Sequence, residues 1–265
     1  MSFALLGHEL RRALLPFVIF FGVLVMYIAV IVSMFDPALG ESLNALAASM
    51  PELFAAFGMG AQATTLDDFM LNYLYGFLLT VLPFVLIVLL VNRAVVQRIE
   101  RGTMACLLAT PVSRVRIAGS MACALVVTLV AMLALTLATG LVCAELLFPG
   151  ELDAARLVRA HVGLLGPWLF LAGLCLLSAC ALPAPGPALW AGGGIGIGLF
   201  LLQMVAQVGD APEVLTRVNP LELYDPFALA NGEAGAIVGA IVLAAVGVVL
   251  IAGAVAVFAR RDLSV

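Results

Sequence analysis

Six stretches of the chain run almost without charge: Leu15 to Phe35, Leu71 to Val91, Gly119 to Leu141, Val162 to Leu182, Ala188 to Val208 and Gly235 to Phe258. A helix needs roughly 20 mainly apolar residues to cross the hydrocarbon of a bilayer, and each stretch meets that length. The pattern predicts an all-α membrane protein, a single transmembrane domain over residues 1–265 with six transmembrane helices. The first stretch is too long for the core of a signal peptide and is read as a retained helix.

The segments between these runs differ in kind. Residues 1–14 set Phe3, Leu6, Leu10 and Leu14 against His8, Glu9, Arg11 and Arg12. This helical period predicts an amphipathic helix lying on the membrane surface. Asp36 to Phe69 holds MPELFAAFGM, whose apolar residues suit either an ordinary amphipathic connector or a cover over the outer mouth of the bundle. Gln97 to Arg114, QRIERGTMACLLATPVSR, is amphipathic: Ile99, Met104, Leu107 and Leu108 share a face, leaving the arginines on another. Pro111 stops that helix, and Ser113 is placed to cap the next one. On this periodicity alone the segment reads as a topogenic cytoplasmic loop resting on anionic lipid headgroups. Gly102 permits either close backbone approach or a packing role. Pro183 to Pro187, PAPGP, reads as a tight turn. NPLELYDPF, between the last two runs, reads as a short structure dipping back toward the interface. GGGIGIG, Gly192 to Gly198, lies inside a hydrophobic run and lacks the strand–turn–helix setting of a nucleotide loop. Its glycines four apart place small residues on one helix face for close packing.

Charge then orients the runs. With the N-terminus inside, the inner segments carry Arg11, Arg12, Arg93, Arg98, Arg101, Arg114, Arg116, Arg260 and Arg261, and the outer ones only Arg156, Arg159 and Arg217. That asymmetry predicts cytoplasmic N- and C-termini. The composition, 65% hydrophobic and 11% charged with a net charge of −4, offers nothing to attract nucleic acid. All 12 basic residues are Arg. Without Lys there is no phosphate loop of the GxxxxGK[ST] type and no Schiff-base chemistry. Five Cys without a CxxC pair and two distant His leave no metal or triad site. The chain is therefore not expected to be an enzyme by itself: no catalytic residue and no metal ligand is assigned.

Polar residues within the runs are few. Glu145 sits near one end of the third. Asn72, Thr80, Thr128, Thr136, Gln203 and Gln207 either line a translocation path or hydrogen-bond between helices. A path lined so sparsely suits a lipophilic or amphipathic cargo.

Glu100-x-Gly102-Thr103, then Leu107-Leu108, then Pro111-x-Ser113-Arg114 resembles the pattern that follows the second span of ABC-2-type permeases, the membrane subunits of many ATP-binding-cassette exporters. The amphipathic start, the six spans, the proline-bearing segment before the last span and the ending Arg260-Arg261-Asp262-Leu263 are similar to that family over the whole chain. The resemblance implies a single permease domain in which residues 97–114 form a cytoplasmic coupling helix docking on an ATPase. Glu100, Arg101, Gly102, Thr103, Leu107, Leu108, Pro111, Ser113 and Arg114 form that element, with Glu100, Arg101, Gly102, Thr103 and Arg114 as prime contacts. It further implies a cytoplasmic ABC ATPase partner in two copies carrying ATP and Mg2+, a second permease copy or related permease, and a multi-pass place among the lipids of a prokaryotic cell membrane. The competing expectations are a self-contained secondary transporter or channel, which needs charges near the midplane, and a non-transporting membrane scaffold.

Overall fold

An apolar backbone in hydrocarbon keeps its N–H and C=O groups bonded only in helices or closed barrels. In the computed structural model, which describes residues 3–35, 45–46, 48–57, 65–182, 184–207 and 218–261, all regular structure among the described residues is helical. Six long apolar helices dominate: α1 (Phe3–Ser33), α2 (Leu66–Glu100), α3 (Arg114–Leu147), α4 (Ala154–Ala181), α5 (Pro185–Ala206) and α6 (Ala234–Arg260).

Several boundaries depart from the sequence expectation. The surface helix over residues 1–14 is not separate, because α1 continues through Pro16 without interruption. One proline removes one backbone donor, and the apolar turns on both sides keep the helix intact. The turn expected over Pro183 to Pro187 is shorter, since α5 already begins at Pro185. A first-turn proline loses no helical hydrogen bond there. Pro183 lies outside the described residues. Helices α2 and α4 begin ahead of their apolar runs, which puts Asp67, Asp68, Arg156 and Arg159 on helix ends. The spans therefore do hold aspartate, contrary to the composition of the apolar runs alone.

Helix α4 is the axis of the bundle. Trp168 at its centre is fully buried and donates Nε1–H to the Leu79 carbonyl of α2 at 2.8 Å. Against α6 it packs through glycine: a Cβ on Gly166 would stand 2.7 Å from the Ala240 carbonyl, and one on Gly173 2.6 Å from the Gly247 carbonyl. Small residues let two backbones approach this closely, the usual device of helix pairs in lipid. The GGGIGIG stretch divides by face. Gly192 lies against Ser178 and Cys175, and Gly196 against Phe84, whereas no side chain or backbone of another helix stands within 4 Å of Gly194 or Gly198. The packing role expected of these glycines holds for one pair only.

Helix α2 is irregular, with π-helical turns at Leu71–Tyr75 and Asn92–Val96 and a break at Gly76 and Phe77. The short helix Pro51–Ala56 has no buried residue, although Phe57 meets the Phe77 ring edge-on at 5.3 Å. Gly58 and Met59, the end of the expected cover, lie outside the described residues. Between α5 and α6, a 3-10 turn at Pro220–Leu223 and a helix at Pro226–Ala230 bury Leu221, Tyr224 and Leu229. The segment is thus a short folded structure packed against the bundle.

Candidate functional site

The joint between α2 and α3 carries the motif residues. Helix α2 ends with Gln97–Glu100, and a second short helix follows at Thr103–Leu108. Between them Gly102 has φ +67°, in the left-handed region that costs a residue with a Cβ. A Cβ on Gly102 would meet nothing within 4 Å, so the backbone angle, and not close approach, requires glycine here. The amide of Gly102 donates to the Ile99 carbonyl at 3.1 Å and that of Arg101 to the Gln97 carbonyl at 3.1 Å, which closes the end of α2.

Two faces of this joint are distinct. Met104 is buried and Ile99 and Leu107 are half-buried against the core, as the apolar period indicated. Glu100, Arg101, Gly102, Thr103, Pro111 and Ser113 are exposed. The side chain of Leu108 lies outside the described residues. Ser113 occupies the N-cap position of α3 but makes no capping hydrogen bond through its side chain, unlike the expectation. Thr103 donates to the Arg98 carbonyl at 3.4 Å.

The arginines do not all face outward. Arg98 is buried: its Nη2 lies 2.7 Å from Glu9 Oε1 and 2.9 Å from Oε2, across 89 residues of sequence. Arg114 is half-buried and donates Nη1–H to the Arg261 carbonyl at 2.6 Å, while Arg261 donates to the Cys180 carbonyl at 3.0 Å. Arg114 therefore ties α3 to the ends of α6 and α4 and is not a free contact. Asp262 and Leu263 lie outside the described residues. The joint is fastened from below at two points, Glu9–Arg98 and Arg114–Arg261, with a polar rim above. Glu9 carried no distinguishing signal in the sequence beyond being one acid among basic neighbours.

The six polar residues of the spans do not form one line. Thr80, Thr128 and Thr136 donate back to carbonyls of their own helices, Phe77, Ala124 and Met132, at 2.7–2.8 Å. This is the usual way a hydroxyl is satisfied in an apolar helix. Asn72 is buried in the first π-helical turn. Gln203 and Gln207 do come together, on the wall of a cavity of about 200 Å³ shared with Tyr75, Glu222, Tyr224 and Phe227. Burial, and then the Asp225 carboxylate, hold the Glu222 carboxyl above the usual carboxylate range. Glu222 Oε1 and the Tyr224 hydroxyl meet no hydrogen-bond partner among the described residues.

Behind Tyr75 lies a buried chain that the sequence did not reveal. The Tyr75 hydroxyl is 2.7 Å from His161 Nδ1, and His161 Nε2 is 2.9 Å from the Leu133 carbonyl and 3.2 Å from Thr136 Oγ1. A carbonyl only accepts, so Nε2 carries the proton in the neutral ring and Nδ1 accepts from Tyr75. His161 lies well inside α4, not at its border. The apolar run beginning at Val162 left it just outside, so no signal in the sequence marked it for burial. At the helix ends nearby, Arg156 reaches Asp68 at 3.1 Å and Asn231 at 3.2 Å. Arg159 grips the Ala230 carbonyl through Nη2 at 2.6 Å, and Asp67 accepts from the Asp153 amide at 3.0 Å. These bonds lock α2, α4 and the 226–230 helix together, so both arginines act in structure.

Among the described residues no group of His, Cys, Asp and Glu is arranged to hold a metal ion. Residues 2–259 match the family model described as multidrug efflux system permease Rv1217c, C-terminal domain. The chain belongs to that family. No curated protein matches it. Six helices long and apolar enough to cross a membrane, in a permease family, make this a multi-pass membrane protein with a transport role. For such a permease the two features of interest are the exposed joint between α2 and α3 and the polar cavity at Gln203 and Gln207.

Proposed function

We propose that this permease is the ABC-2-type membrane subunit of an ATP-driven exporter. Residues 97–114 dock on a cytoplasmic ATPase, two copies of which bind ATP and Mg2+. The chain itself holds no catalytic site. It assembles with a second permease copy or a related permease in a prokaryotic cell membrane, with both termini in the cytoplasm. Its cargo is lipophilic or amphipathic.

The observation that carries the reading is the construction of the joint. Glu100, Arg101 and Thr103 stand exposed on a glycine-formed corner between two helices of 35 and 34 residues. The corner is braced by the Glu9–Arg98 pair, so a force applied there is transmitted along helices and not absorbed by a loose loop. The exposed polar rim supplies donors and an acceptor for docking, and arginine suits fixed-register recognition of a carboxylate. The cavity at Gln203, Gln207, Tyr75 and Tyr224 joins amide and carboxyl groups to aromatic faces, a lining that accepts a cargo with polar and apolar parts.

The test is recovery of the tagged full-length chain in gentle detergent together with its stable partners. The proposal expects an ATPase in the complex and ATP-dependent transport after reconstitution. Transport sustained by the chain alone, driven by an ion gradient, would replace it with the secondary-transporter reading.

A further inference from the structure

The start of α1 and the end of α2 flank a separate, half-open cavity of about 260 Å³. Arg12, Arg98 and Arg101 line it together with His8, Gln97 and Thr103. Leu107 supplies one aliphatic side. Among the described residues no carboxylate lines it, since Glu9 is turned to Arg98 Nη2. The cavity exceeds the ~30 Å³ share of a single water several times over.

Arg98 is the buried charge behind the cavity. Its side chain is 5% exposed, and Nη2 is held by Glu9, yet Nη1 meets no acceptor among the described residues. A buried charged donor without an acceptor is costly, and three guanidinium groups share one compensating carboxylate. The missing group is an oxyanion with several acceptor oxygens. Phosphate fits arginine donors best, through paired N–H···O contacts.

Depth selects the source of that phosphate. Leu15 and Ile19 lie three and seven residues after Arg12, on the same face of α1. They are 66% and 55% exposed, side chains that meet acyl chains in a bilayer. Arg12 therefore stands one turn beyond the last lipid-facing residue, at headgroup level. Free phosphate offers the same oxygens but gains nothing from that aliphatic strip.

We propose that this cavity binds the phosphate of an anionic phospholipid headgroup, with Arg12 and Arg101 as donors and the buried Arg98 charge behind them. The lipid bridges α1 to the joint between α2 and α3. The site requires only insertion in a membrane, and it shares Arg101 and Thr103 with the surface proposed to dock the ATPase.

Its test uses the full-length chain in neutral detergent, titrated with short-chain phosphatidylglycerol and read by native mass spectrometry, with inorganic phosphate as competitor. Loss of two charge-assisted contacts in the R12Q/R101Q double variant weakens lipid binding at least about tenfold, R12K/R101K weakens it less, and R260Q leaves it unchanged. Excess inorganic phosphate leaves the lipid in place. Helical circular dichroism and the thermal midpoint, measured without lipid, establish that each variant is folded. If the double variant is not, Arg101→Gln alone carries the comparison, because Arg101 is exposed. Wild-type lipid retention in the glutamine variants overturns the site. Displacement by inorganic phosphate overturns the lipid as its ligand. Loss of an ATPase partner with lipid retention intact assigns the cavity to docking and likewise overturns the proposal.

Discussion

Glu9 and Arg98 form a buried ion pair at 2.7 Å between the start of α1 and the end of α2, with side chains 6% and 5% exposed. Removing one partner of such a pair strands the other charge, and costs about 3–5 kcal/mol. Arg98→Met is therefore expected to lower the unfolding midpoint of the purified permease sharply. The double variant E9L/R98M restores most of that loss, because no charge remains buried. A double-mutant cycle in detergent reads the coupling directly.

Gly102 isolates backbone conformation from packing. Its left-handed φ is strained for any residue with a Cβ, while the space around it is open. Gly102→Ala should cost about 1–2 kcal/mol and Gly102→Asn less, since asparagine tolerates that region. Chemical unfolding of the two variants checks the order.

Gly247 presents the opposite case. A Cβ there would stand 2.6 Å from the Leu169 carbonyl oxygen, a backbone atom that cannot step aside, whereas Gly198 has open space. Gly247→Ala is expected to destabilise by about 1–3 kcal/mol or more, and Gly198→Ala not at all. Comparing the thermal midpoints of the two variants tests the α4–α6 contact.

Tyr75→Phe removes the donor to His161 Nδ1 and leaves a buried acceptor unsatisfied. The expected cost is about 1–3 kcal/mol, with the double variant Y75F/H161F as control, because it leaves neither partner of that bond stranded. Unfolding curves that leave Tyr75→Phe unshifted would contradict the assigned tautomer.

Glu222 gives a pH dependence with a definite sign. Its carboxyl is raised in the folded chain, so the unfolded state loses its proton first as pH increases. The Glu222 contribution is neutral at pH below the ordinary carboxylate range and becomes unfavourable as pH rises through that range toward the folded value. Glu222→Gln should match the wild type in stability at acid pH and exceed it at neutral pH. Thermal midpoints across that window test the sign.

The apolar periods of the sequence located all six long helices, because a run of leucine, valine and alanine has no other way to satisfy its backbone in lipid. They did not say which helices touch. Glu9–Arg98, Tyr75–His161, Asp67–Asp153 and Leu79–Trp168 each join residues 86 to 89 positions apart, and no local pattern encodes such pairing. For the same reason the amphipathic reading of residues 97–114 placed Met104 correctly and Arg98 on the wrong side. Period assigns an arginine to the polar face until a carboxylate on another helix draws it inward. The helix starts at Leu66 and Ala154 were missed because Asp67, Asp68 and Arg156 end the apolar run while their mutual bonds extend the helix.

The central claim is that Glu100 and Arg101 meet an ATPase. The direct measurement is the amount of ATPase recovered with the charge-reversed variant E100R/R101E, which leaves the Glu9–Arg98 brace and the Gly102 corner intact. That variant is expected to insert and fold as the wild type does and to lose the ATPase and ATP-dependent transport together. Wild-type recovery of the ATPase, with transport unchanged, would contradict it.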